Sequence, residues 1–182
     1  MNVDIAVLDS LIRGKNEIVI IPLNAVYIDE RSRDGTWCCA PYPNHPKGCP
    51  NFGKRDSCPP RAAKFEDIVD INKPLFAAIV RFDLKEHAQK MFERHKEKHK
   101  DEESYKSMPR GMQRNVLYWQ NTVRKQLKRI AYNVKGLLDD YIVLEIPEAN
   151  GVNVFKTMAA HGLKMKTDPD IVYKVMLICK KK

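Results

Sequence analysis

The sequence predicts an α+β fold, α/β-like in layout, with a single sheet of about four strands, helices packed on it and a cysteine-rich metal-binding loop in its N-terminal part. Three observations carry this prediction. Four short apolar runs rich in Val, Ile and Leu lie at 17–23, 74–84, 141–148 and 171–179. Between the second and third runs, apolar residues recur every three or four positions over more than twenty residues, the period of a helix. The stretch 37–60, WCCAPYPNHPKGCPNFGKRDSCPP, holds four of the five cysteines and six prolines but few apolar residues. Such a segment cannot repay its ordering entropy by burial, so a metal is expected to hold it. With 182 residues, 43% of them hydrophobic, the chain reads as one domain, 1–182, with that loop inside it.

Taken in order, residues 1–16 read as a short helix around Ala6, Leu8, Leu11 and Ile12, ended by Gly14. EIVIIPL (17–23) is a β-branched run suited to a buried strand, and NAVYID (24–29) either extends it past Pro22 or returns as a second strand. Beyond the loop, RAAKFEDIVDIN (61–72) predicts a helix with Ala63, Phe65 and Ile68 turned inward and Pro59 and Pro60 leading it. Cys58 would then sit just before a helix N-terminus, where amide donors and the helix dipole favour a thiolate.

PLFAAIVRFDL (74–84) is the second clear strand, and Lys85–Lys100 a helical pattern with Ala88, Met91 and Phe92 on one side. His95 and His99 are spaced i,i+4 there, but their Lys and Glu neighbours favour a solvated face over a metal pair. Met112–Leu138 predicts the longest helix, a rod of about 35 Å, with Val116, Trp119, Val123, Leu127, Ile130, Val134 and Leu137 along one stripe. YIVLEIPE (141–148) is the third strand. GVNVFKTMAAHG (151–162) is a helix with Val154, Phe155, Met158 and Ala159 inward and Gly162 at C′, and IVYKVMLIC (171–179) is the last strand.

The net charge of +9 is concentrated. Fourteen Lys or Arg and six Asp or Glu fall between Lys85 and Lys135, and from Arg110 to Lys135 there are seven basic residues and no acidic one. Arg114, Arg124, Lys125, Lys128 and Arg129 form a basic ridge opposite the apolar stripe of the long helix, with Tyr118 and Tyr132 beside it. An acidic protein or RNA is the partner that this charge suits, although a solvated lysine-rich face has the same composition. No run of about 18 apolar residues and no basic leader precede the fold, so a soluble, cytoplasmic protein without membrane contact is expected. In that reducing compartment, clustered cysteines read as metal ligands or redox groups rather than disulfides.

Cys38, Cys39, Cys49 and Cys58 are therefore the candidate ligands. Thiolate sulfur is soft and selects zinc or iron–sulfur. Structural zinc sites draw their ligands from close pairs, whereas here nine residues separate Cys39 from Cys49 and eight separate Cys49 from Cys58. Long intervals suit a bulkier [4Fe–4S] cluster, as do the prolines that follow Cys49 and Cys58, so iron–sulfur ranks ahead of zinc. Cys39, Cys49 and Cys58 come first and Cys38 fourth; His45 could replace it in a zinc site, but a loop histidine reads better as an exposed residue, and Cys179 ends an apolar strand and reads as a core residue. No Walker loop, G-x-G-x-x-G, G-x-S-x-G or H-E-x-x-H is present, and Asp139, Asp140, Glu145 and Glu148 form no distinct carboxylate constellation.

Two stretches, CPNFGKRDSCPP and PEANGVNVFKTMAAHGLKM, together resemble a prokaryotic family of predicted metal-binding proteins that carries domain of unknown function 2284. The matching positions are Cys39, Cys49, Pro50, Phe52, Gly53, Cys58, Pro59 and Pro60, then Glu148, Ala149, Gly151, Val152, Asn153, Val154, Phe155 and Thr157. The resemblance, anchored over about 38–179, implies a cytoplasmic metal-binding protein, iron–sulfur in type. Members also carry a second cysteine group before the later segment. KGLLDDYIVLEIPEANG has none, which implies a single metal site here.

Three functions follow as expectations. The first is an iron–sulfur protein in electron transfer, or one that matures or modifies a larger partner docked on the basic helix. The second is a zinc-stabilised nucleic-acid-binding module. The third is an enzyme with an open cluster iron, for instance in sulfur transfer to RNA.

Overall fold

The computed structural model describes residues 18–41, 46–83, 86–87, 90, 93–94, 97, 116–166 and 171–182, with side chains of the longest helix from Val123 onward. The expected helix at 1–16, the pair His95 and His99, and His45, Ala88, Met91, Phe92 and Arg114 lie outside the described residues. So do the side chains of Val116, Tyr118 and Trp119.

The described strands are β1 (Ile18–Leu23), β2 (Leu75–Asp83), β3 (Tyr141–Leu144) and β4 (Ile171–Lys180). They form one antiparallel sheet in the order β1-β2-β4-β3, with registers such as Ile20 opposite Ala78, Ala78 opposite Met176 and Val143 opposite Ile178. Helices α1 (Thr36–Cys39), α2 (Phe65–Ile68), α3 (Val116–Gly136) and α4 (Val154–Ala160) complete the α+β arrangement. The described residues between β2 and α3 are helical where a helix is expected. No helix among the described residues is long and apolar enough to cross a membrane.

The central strands β2 and β4 are covered on both faces, which is why their sequences are almost continuously apolar instead of alternating. On one face Ala77, Ile79, Val175, Leu177 and Cys179 pack with Phe65, Val69, Val154, Met158 and Leu163. On the other Ala78, Val80, Phe82, Met176 and Ile178 meet Val123, Leu127 and Ala131 of α3. Burying each large side chain of this kind contributes about 1.5–3 kcal/mol. Cys179 is fully buried, as expected, and burial pushes its thiol up to about 12.

Several elements differ from expectation for identifiable reasons. α2 spans Phe65–Ile68 instead of 61–72, because the chain opens at Val69 to pair with the C-terminus. Val69 bridges Lys181, Asp70 N–H donates to Lys180 O at 3.0 Å, and Lys182 N–H donates to Ile68 O at 3.1 Å. Ala62, not Ala63, is the buried alanine. Cys58 consequently does not precede a helix start; it begins a turn closed by Ala62 N–H to Cys58 O at 2.9 Å. Residues 24–29 neither extend β1 nor form a hairpin. Their partner is the segment before α4: Asp29 N–H donates to Gly151 O at 2.8 Å, and Asn153 N–H to Tyr27 O at 2.7 Å.

α4 turns Val154, Thr157 and Met158 inward, an i, i+3, i+4 set, leaving Phe155 and Ala159 outside. Gly162 takes the left-handed C′ position with φ 85°. On α3 the buried line is Val123, Leu127 and Ala131; Ile130 and Val134 are half-buried, and Leu137, 85% exposed, lies past the helix end.

Candidate metal centre

The cysteine loop leaves the core at the 3-10 turn Glu30–Ser32, which Asp29 caps by accepting from Arg31 N–H. Asp34 then accepts from Thr36 N–H at 2.7 Å, a bond that holds its carboxyl below the ordinary range and starts α1. Cys38 and Cys39 therefore stand in a helical turn, with Cys39 N–H bonded to Gly35 O at 2.7 Å. The ring of Phe52 packs over Gly35, seating the Cys-Pro-Asn-Phe-Gly turn against the start of α1.

The arm carrying Cys49 closes on α1 by direct backbone contact. Cys49 N–H donates to Cys38 O at 2.6 Å. Gly48 has φ 81°, and a Cβ on it would stand 2.3 Å from Cys38 O and 2.7 Å from Cys39 Cα, so no other residue fits without displacing α1. The third arm is tied to the second: Gly53 N–H donates to Pro59 O at 2.8 Å, and Cys58 N–H to Arg55 O at 3.0 Å. Four of the cysteines thus belong to one small hydrogen-bonded body. Cys38, Cys49 and Cys58 are half-buried and Cys39 is exposed; none is in a disulfide.

The thiols are close enough to feel one another. Burial, followed by the like charges of Cys49, Cys58 and Cys39, raises the Cys38 thiol above its ordinary value. A bound cation reverses that sign, since coordination deprotonates a thiol outright. The donor set is all sulfur, which fits a soft metal or an iron–sulfur cluster. Among the described residues no group of three or more His, Cys, Asp or Glu is gathered around a position for a single ion.

The second sequence signature is the seat of this loop. The Arg33 guanidinium donates to three carbonyls from two segments: Pro60 O at 3.4 Å, Ala63 O at 3.2 Å and Ala149 O at 3.1 Å. Asn150 Nδ2 adds a bond to Ala63 O at 2.8 Å. Asn153 caps α4 through Lys156 N–H and also donates to Asp29 Oδ2 at 3.2 Å. Thr157, fully buried, accepts from Tyr27 N–H at 3.0 Å. Both ends of the loop are thereby fastened to the 147–157 segment. Arg33, Asn150 and Asn153 were not legible as a set, because their partners lie about 30 to 125 residues away in sequence.

The basic ridge divides. Arg124 and Lys128 pair with Glu145 at 3.1 and 2.5 Å, and Tyr132 donates its hydroxyl to the same carboxylate at 3.2 Å. Those bonds outweigh desolvation and hold Glu145 below the ordinary carboxylate range. Lys125 and Arg129 remain on the exposed side. Glu145 is the convergence point that sequence reading missed. Its signal is the four-residue spacing of Arg124, Lys128 and Tyr132, one line along a helix. Trp37, beside the cysteines, is an exposed aromatic with the Arg31 guanidinium 5.5 Å from its ring.

Comparison with protein-family models, with curated proteins and with solved structures finds no match to this chain.

Proposed function

We propose that this is a metal-binding protein whose loop holds an iron–sulfur cluster, and that it serves electron transfer or the maturation or modification of a larger partner. Cys39, Cys49 and Cys58 would be ligands, with Cys38 the fourth. The observation that carries the reading is the closure of the loop. Gly48 lies against Cys38 and Cys39, and the Cys49 amide bonds to Cys38, so three thiol-bearing residues meet through their backbones while Gly53 and Pro59 draw in the fourth. A cluster bound there would supply one-electron chemistry. The protein's part is to hold the sulfurs, through Arg33 and the 147–157 segment, and to keep Cys38, Cys49 and Cys58 partly shielded from water.

The partner would be acidic or RNA, met first by Lys125 and Arg129, the ridge cations on the exposed side that are not paired with Glu145. Cysteine-to-serine variants test the reading. Cys39→Ser, Cys49→Ser and Cys58→Ser should each lose iron and visible absorption, whereas Cys179→Ser should keep both. Retention of full iron in the three loop variants would refute it.

A further inference from the structure

A cleft of about 410 Å³ opens between the end of β3 and the far side of the cysteine loop. Its size falls within the range of small-molecule sites, about 300–1,000 Å³. The walls are apolar at Ala62, Val143, Leu144 and Ile146, with Arg124 and Glu145 contributed from the side of α3 and β3 and Ser57 and Asp56 from the side of the cysteine loop. We propose that it binds a small organic anion, an apolar body bearing one carboxylate, with Arg124 recognising the charge.

The charges decide the ligand's sign and direction. Glu145 is shared by two cations, Arg124 and Lys128, so that side of the cleft carries an excess positive charge. On the loop side Asp56 is offset by Arg61 at 3.4 Å. Arg124 meets Glu145 through a single contact, Nη2 to Oε2, not through both prongs of its fork. A guanidinium has five donors in one plane, and a carboxylate is the group that a two-pronged face of it matches. The apolar body then lies along Val143 and Ala62 towards Ser57, whose hydroxyl is free to turn towards a ligand. Ser57 directly precedes Cys58, so the cleft adjoins the loop. The proposal goes beyond the metal reading and holds whichever ion the loop carries.

Hexanoate, hexylamine and hexanol, titrated into the full-length protein and followed by its backbone amide NMR signals, test it. Hexanoate should shift the amides of Ser57, Ala62 and Val143 to Ile146 saturably, and the amine and alcohol should leave them in place. Arg124→Gln should weaken hexanoate binding about tenfold or more. Glu145→Gln, which frees Arg124 of its internal partner, should strengthen it severalfold. Equal response to all three compounds, shifts elsewhere only, or wild-type affinity in Arg124→Gln would overturn the proposal. If Arg124→Gln loses its native spectrum, Glu145→Gln decides alone, and unchanged or weaker binding there overturns it.

Discussion

The side chain of Arg33 lies across Gly151. A Cβ on that glycine, at φ 95°, would stand 3.1 Å from Arg33 Cδ. The absence of a side chain at 151 lets the guanidinium reach Ala149 O on one side and Ala63 O on the other, so the loop's exit and the 147–150 turn share one donor group. Gly151→Ala should therefore cost about 1–3 kcal/mol in stability, by backbone strain together with the displaced arginine. Arg33→Ala, which leaves those carbonyls without their donor, should cost a similar amount. Urea unfolding of the two variants measures both, and the double variant should fall short of the sum, because they act on one contact.

Gly48→Ala should disturb metal retention more than overall stability, since its clash is with Cys38 and Cys39 and not with the core. Gly53→Ala shares the left-handed backbone, φ 70°, but a Cβ there meets nothing within 4 Å. Chelator competition on the two variants should show loss of metal in the first at chelator concentrations the second withstands. Equal behaviour would mean that the contact with Cys38 is not what shapes the site.

In metal-free, reduced protein a thiol reagent should modify four cysteines readily, with Cys38 the slowest of them. Cys38 is half-buried and its thiol is raised by burial and by its neighbours' charges. Cys179 should react only on unfolding, being fully buried with its thiol pushed up to about 12. Counting modified thiols before and after adding denaturant checks this.

Asp29 should be visible in the acid limb of stability. Its side-chain bonds to Arg31, the largest influence, help lower its carboxyl from 3.8 to about 2, and Asn153 adds to this. The folded value lies below the unfolded one, so the contribution is full above pH 3.8 and is lost as pH falls through about 2. The stability gap between wild type and Asp29→Asn, followed by urea midpoints, should be constant above that window and close within it.

Legibility in the sequence followed the range of the interactions. β2 and β4 were plain because a strand covered on both faces has to be apolar throughout, and α3 was plain because its stripe is a local pattern. The truncation of α2 was not, since the competing partner of Val69 is Lys181 at the other end of the chain. At its other end α2 begins only at Phe65, which leaves Cys58 away from a helix start. Thr157 was not among the residues expected to turn inward, yet it is buried, with its hydroxyl accepting from the Tyr27 amide. The four loop cysteines were legible as a group from composition alone. Their closure through Gly48 was not, because it depends on a left-handed backbone meeting α1.

The most direct test is metal and sulfide analysis of protein purified without oxygen, together with its absorption spectrum. Iron and acid-labile sulfide in near-equal amounts, with broad visible absorption that bleaches on reduction, are expected. Colourless protein holding one zinc per chain, or no metal, would contradict an iron–sulfur centre in this loop.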